Sequence, residues 1–178
     1  SAASDVYKRQ VICYGMVSTL DDVKNAAAAE MNIVCSAAAI KAAEYLKEKF
    51  GTPYEIEYPR SCLPEEIVQK AYNFTDKNVL VIHNQTAADA VRKLITEKSG
   101  KCHCTSATFF MQKKELSQQS DFFLADESDL CDNVGDNYDV VIADKTLRRV
   151  MKNFSGEFID FPHFGLSGRL LQGESEKI

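Results

Sequence analysis

Four places in this sequence set polar, chemically capable side chains directly behind short apolar runs. His83, Asn84 and Gln85 follow VLVI, Asp126 and Glu127 follow FFLA, and Asp144 and Lys145 follow VVIA. His163 follows FIDF and a proline, with Ser167 and Arg169 just beyond it. Each run has the length and composition of a buried strand, and Pro162 ends the last because proline has no N–H to give to a ladder. In an open parallel sheet, turns of this kind share the carboxyl edge, where a crevice at the switch point of strand order takes up ligands. Strand-to-helix turns need polar caps whatever the function, and Thr86, Asp126 and Asp144 serve as caps. Capping leaves His83, Gln85, His163 and Arg169 unexplained, and these are the candidates for lining such a crevice.

Other chemistries find little support. No Walker-type phosphate loop is present, and the turn after Ile82 has no glycine, which excludes a dinucleotide fingerprint there. No serine sits in a nucleophile elbow. Cys102-His103-Cys104 has the look of a metal-binding piece, but a closed zinc site needs four ligands and no second cysteine pair has suitable spacing. Two cysteines packed in a strand is the simpler reading.

The elements that must position these residues follow from periodicity. VICYGM (residues 11–16) reads as a strand, Ser18 as the cap of a helix with an acidic first turn, and residues 33–35 as a short strand. Ser36 caps a helix over 37–50 that stops at Gly51 and Pro53, and YEIEY (54–58) alternates as a strand. The prolines at 59 and 64 mark a boundary. Beyond it come a helix to about residue 72, a strand over 79–82 and a helix over 87–98. Strands over 102–110, 122–125, 140–143 and 158–161 follow, each of the first three with a helical segment after it, at 113–118, after 125 and at 145–150. Strands alternating with helices imply an α/β fold, a Rossmann-like doubly wound parallel sheet covered on both faces.

The 178 residues carry a net charge of −5 with no basic stripe, which argues against nucleic acid. No apolar run reaches the roughly 20 residues of a membrane span, and no secretory segment opens the chain. Six dispersed cysteines in a chain 45% hydrophobic point to a reduced, cytoplasmic protein. DVYKRQ (5–10) resembles a translated sequencing adaptor and is set aside.

The order of motifs resembles that of nitrogenase component 1-type oxidoreductases. NIVCSAAAIKAAEYLKEKFGTPY (32–54) is similar to the end of that family's middle domain, and NVLVIHNQTAADAVRKL (78–94) to a unit beyond it. YDVVIAD (138–144) and FPHFGLSGRL (161–170) resemble its last two strands. The family includes nitrogenase molybdenum–iron protein subunits, cofactor-assembly scaffolds and tetrapyrrole reductases. The resemblance implies a truncated middle Rossmann-like domain over 11–62, a complete last domain over 63–172 and a disordered tail over 173–178. It implies a homologous component 1 subunit as partner and an ATP-dependent iron–sulfur reductase as electron donor. An iron–sulfur or related metallocluster is expected in the full-length protein and none in this fragment.

By the same resemblance, His83, Gln85, Asp144, His163, Ser167 and Arg169 would line an interdomain substrate or cofactor cavity. Cys35 and His163 fall at the positions that hold the two ends of the nitrogenase cofactor. Thiolate suits an iron–sulfur core and imidazole a terminal metal. A metallocluster-assembly scaffold and a non-redox small-molecule-binding domain are the alternative functions.

Overall fold

The structure is a computed structural model, and it describes residues 18–134 and 137–168. The adaptor-like start over 1–10, the strand expected over 11–16, Arg169 and the tail over 173–178 lie outside the described residues.

Five parallel strands form the main sheet: β3 (Asn78–Ile82), β4 (His103–Thr108), β5 (Phe122–Phe123), β6 (Val140–Ala143) and β7 (Glu157–Asp160). Their order is β5-β4-β3-β6-β7, so the chain starts at the centre, builds outward to β5, then returns to the other side of β3. Strand order therefore reverses between β3 and β6, which pair in register from Val79–Val140 to Ile82–Ala143. This is a Rossmann-like α/β sheet with its switch point at those two strands.

The two-residue period of a strand decides which face each side chain fills. Val79, Val81, Val140 and Ile142 pack with Ile159 against Ile67, Phe74, Val91 and Ile95 of the segments on one side. These segments are α3 (Glu65–Lys70), the 3-10 turn after it and α4 (Gln85–Ser99). Leu80, Ile82, Val141 and Ala143 face the opposite way, onto Leu124, Leu147, Met151, Phe154, and Leu130 and Val134 of α5 (Glu127–Val134). Both faces are dry, so VLVI and VVIA read as unbroken apolar runs rather than alternating ones.

A smaller unit precedes this sheet. It comprises α1 (Leu20–Asn25), β1 (Asn32–Val34), α2 (Ile40–Phe50) and β2 (Tyr54–Ile56), with β1 and β2 paired in parallel. Its core is Val34, Ala37, Ile40 and Ala43, with Tyr54, Ile56 and Leu116 against it. A fully buried large aliphatic side chain contributes roughly 1.5–3 kcal/mol and an alanine much less, so most of the apolar stabilisation lies in the main sheet.

Several boundaries differ from the sequence reading. Thr19, not Ser18, caps α1, because Thr19 and Asp22 satisfy each other's backbone N–H groups as a capping box. Asn84, not Thr86, caps α4: its Oδ1 accepts from the Ala87 amide at 2.9 Å, and the helix begins at Gln85. The helix expected over 113–118 is a single 3-10 turn at Lys114–Leu116. Side chains take the backbone donors there, with Gln85 accepting from the Lys113 amide and Asp121 from the Gln118 amide. The segment after β6 is likewise 3-10, Lys145–Arg149, capped by Asp144. β2 and β5 stop two residues earlier than expected.

Candidate functional site

The carboxyl ends of β3, β4 and β7 converge on a cluster of five rings. The His163 ring stacks on Phe110 with centroids 4.0 Å apart and planes 10° apart. It meets the His83 ring edge-on at 4.6 Å. His83 in turn stacks on Phe161 at 4.0 Å, and Tyr58 closes the group at 6.4 Å from both His83 and Phe161. The arrangement follows from topology. His83 leaves the end of β3, His163 follows the end of β7, and β6 between them ends in register with both, at Ala143, so the two turns meet above it.

His83 is buried, and its Nε2–H donates to the Pro162 carbonyl at 3.1 Å. That bond sets the tautomer and leaves Nδ1 as a lone pair. Nδ1 is buried and finds no hydrogen-bond partner among the described residues. Burial, with the neighbouring His163, pushes the His83 pKa down to about 3, so the ring is neutral at physiological pH. His163 is partly exposed, and its Nδ1 accepts the Gly165 amide at 3.1 Å, which places its own proton on Nε2. Burial lowers its pKa too, against the opposing pull of Asp144. Gly165 suits this close packing: a Cβ there would lie 3.1 Å from Phe110 Cε1 and 3.2 Å from His163 Cε1.

Asp144 organises the turn beneath. It is fully buried, and its Oδ1 accepts from the Thr146 amide at 2.9 Å and the Thr146 hydroxyl at 2.8 Å. Its Oδ2 accepts from the His163 amide at 2.9 Å and from the Ser167 hydroxyl. Burial alone would raise its pKa; these hydrogen bonds outweigh that and hold the carboxyl well below the usual carboxylate range. Asp144 and Ser167 thus form the frame that presents His163.

Gln85 sits at the same edge, but its amide is engaged elsewhere. Its Nε2 donates to the Lys113 carbonyl and the Ser117 hydroxyl, and its Oε1 accepts the Lys113 amide. It ties the loop after β4 to the start of α4. Cys35 is tied to the next residue of α4: Thr86 donates its hydroxyl hydrogen to the Cys35 carbonyl. The thiol is half-buried and forms no disulfide with a described residue; its Sγ lies 4.0 Å from the Ile33 carbonyl. Among the described residues no group of three or more His, Cys, Asp or Glu side chains could hold a metal ion, and this includes Cys102-His103-Cys104. Burial pushes the Cys104 thiol up to about 12.

The sequence reading missed Tyr58, Phe110 and Phe161 as parts of the site. Phe110 and Phe161 were visible as the aromatic ends of expected strands of the main sheet, and Tyr58 as the aromatic end of the alternating run before Pro59.

No family model matches this chain, and no curated protein matches it. Among solved structures it is similar to one described as nitrogenase Cp1 at pH 6.5, with a TM-score of 0.52 and 14% identity. The match covers 86% of this chain and 43% of that one, so this chain spans less than half the length of the structure it resembles. Fold and site together define a Rossmann-like α/β chain with a histidine pair at its switch point. Its particular likeness is to a nitrogenase-type fold. Among the described residues no helix is long and apolar enough to cross a membrane.

Proposed function

We propose that this chain is part of a nitrogenase-like reductase subunit. In the full protein, an ATP-dependent iron–sulfur partner supplies electrons and a substrate is reduced in a cavity at the carboxyl edge of the sheet, beside a homologous subunit. The observation that supports the reading most is the presentation of His163. A buried carboxylate, a serine and a second histidine hold one imidazole at the switch point of a nitrogenase-type fold.

The donor set fits a cluster held at its two ends. Cys35 offers a thiol that is in no disulfide and His163 an imidazole Nε2, with Thr86 and His83 joining the segments that carry them. It does not fit a single ion held by this chain alone. A cluster would supply electron storage; Cys35 and His163 would hold it, and Asp144 would fix the orientation of the imidazole. The test is the iron content and electron paramagnetic resonance of the full-length protein purified without oxygen. Cys35→Ala and His163→Ala should each lose most of the cluster signal, and an unchanged signal in both would sink the ligand roles.

A second reading is a site for an organic molecule. Its support is the ring cluster: Phe110 and Tyr58 flank two neutral imidazoles, a lining suited to a flat apolar ligand. An iron-free full-length protein that binds a planar organic compound, with affinity lost in His163→Ala, would favour it.

A further inference from the structure

The segment between β6 and β7 carries a feature that the proposed function does not use. Lys145, Arg148 and Arg149 line an open cavity of about 480 Å³, together with Thr146 and Phe158. All three cations are exposed, and none is in an ion pair with a described residue. Among the described residues no acidic side chain lines this cavity. That is unusual in a chain of net charge −5. Beside it, Asp160 accepts the Lys145 amide at 2.9 Å and Asp144 accepts the Thr146 amide. Arg148 is pre-ordered, its guanidinium carbon 5.3 Å from the Phe158 ring centroid and 5.9 Å from that of Phe154. A stacked guanidinium loses little freedom on binding and still offers its N–H fork.

We propose that this cavity is a binding site for a small polyanion bearing two or more phosphoryl groups. Three cations within five residues match closely spaced charges better than a single carboxylate would. The volume falls within the roughly 300–1,000 Å³ of small-ligand sites. Arginine forks match phosphoryl oxygens two at a time. The site is independent of the metallocluster reading, because it uses neither Cys35 nor the histidine pair.

The test is titration of the full chain with inorganic tripolyphosphate, followed by calorimetry, with citrate and hexaglutamate as comparison probes. Tripolyphosphate should bind, and Arg149→Gln combined with Lys145→Gln should weaken it at least tenfold. Lys41→Gln, an exposed charge on α2, should leave it unchanged. The affinity should fall as salt is raised. Arg148→Gln removes packing as well as charge, so Arg148→Lys is the companion variant; it keeps the charge, loses the planar fork and should weaken binding less. No binding, or equal binding in the Arg149/Lys145 variant, would overturn the site. Citrate binding as tightly as tripolyphosphate would overturn the phosphoryl assignment, and tighter hexaglutamate binding would replace the small ligand with an acidic protein surface.

Discussion

At the scale of the residue, Asp144 and His83 make the stability of this protein sensitive to acid. The His83 pKa in the folded state is below its usual value of 6.5. Between roughly pH 6.5 and pH 3 the unfolded chain therefore binds more protons than the folded one, and stability falls as the pH falls. Asp144 adds a second window. Its folded pKa is depressed, so its contribution is complete above the ordinary Asp value of about 3.9 and is lost below it. Denaturant unfolding followed from pH 8 to pH 3 should show a falling midpoint from about pH 6.5 downward, and His83→Gln should flatten the upper part of that fall. Asp144→Asn should cost about 3 kcal/mol at pH 7, because an amide turns an NH2 group toward donors and hydrogen bonds to a charged acceptor are worth roughly 1.5–3 kcal/mol each. A midpoint independent of pH over this range would contradict both assignments. The closeness of His83 and His163 was legible in the sequence, because parallel strands send their turns to one edge. The bond of His83 to the Pro162 carbonyl was not, since no pattern marks a backbone acceptor 79 residues away.

At the scale of the element, the loop between β4 and β5 depends on one glutamine. Gln85 makes three hydrogen bonds to Lys113 and Ser117, and it is buried. Gln85→Ala should destabilise the protein by about 2–4 kcal/mol, since it removes three hydrogen bonds and the side-chain acceptor of the Lys113 amide, and limited proteolysis should then cut within residues 109–121. Retention of wild-type stability and protease resistance would show that the loop is held some other way. The turn before β7 depends on a glycine in a comparable manner. A Cβ on Gly156 would lie 2.5 Å from the Asp139 carbonyl oxygen and from Phe154 Cζ, so Gly156→Ala should cost roughly 1–3 kcal/mol. The contrast between β3–α4 and this loop shows what sequence can carry. VLVI followed by a 3.6-residue apolar repeat announces a strand and a helix from local spacing alone. The loop's conformation depends on Gln85, 28 residues from its partner, and on Asp121, whose carboxylate binds both the Ser106 and Gln118 amides. Such long-range pairings override a helical pattern without leaving a periodic trace.

At the scale of the whole molecule, the unit over residues 20–56 is more weakly held than the main sheet. Its two strands pair only with each other among the described residues, over three residues each. Among the described residues its core has four buried side chains, two of them alanines, and Ile33 stays 51% exposed. Among the described residues, the contacts that join it to the rest include the Thr86 hydroxyl on the Cys35 carbonyl and Leu116 against its core. Opening this unit exposes far less apolar surface than opening the sheet, so it should open first, as a separate cooperative step. Amide exchange should show at least about tenfold less protection at Val34 and Ile56 than at Val81 and Ile142. Thr86→Val removes one joining contact while keeping the side-chain shape. It should widen that gap and leave the main sheet unaffected, because α4 keeps its Asn84 cap. The consequence for the site is direct, since Cys35 rides on the weaker unit while His83 and His163 ride on the stronger one. Anything that holds Cys35 and His163 together should bring exchange in the smaller unit toward that of the sheet. Equal protection of the two units in the unliganded chain would show instead that they already behave as one body.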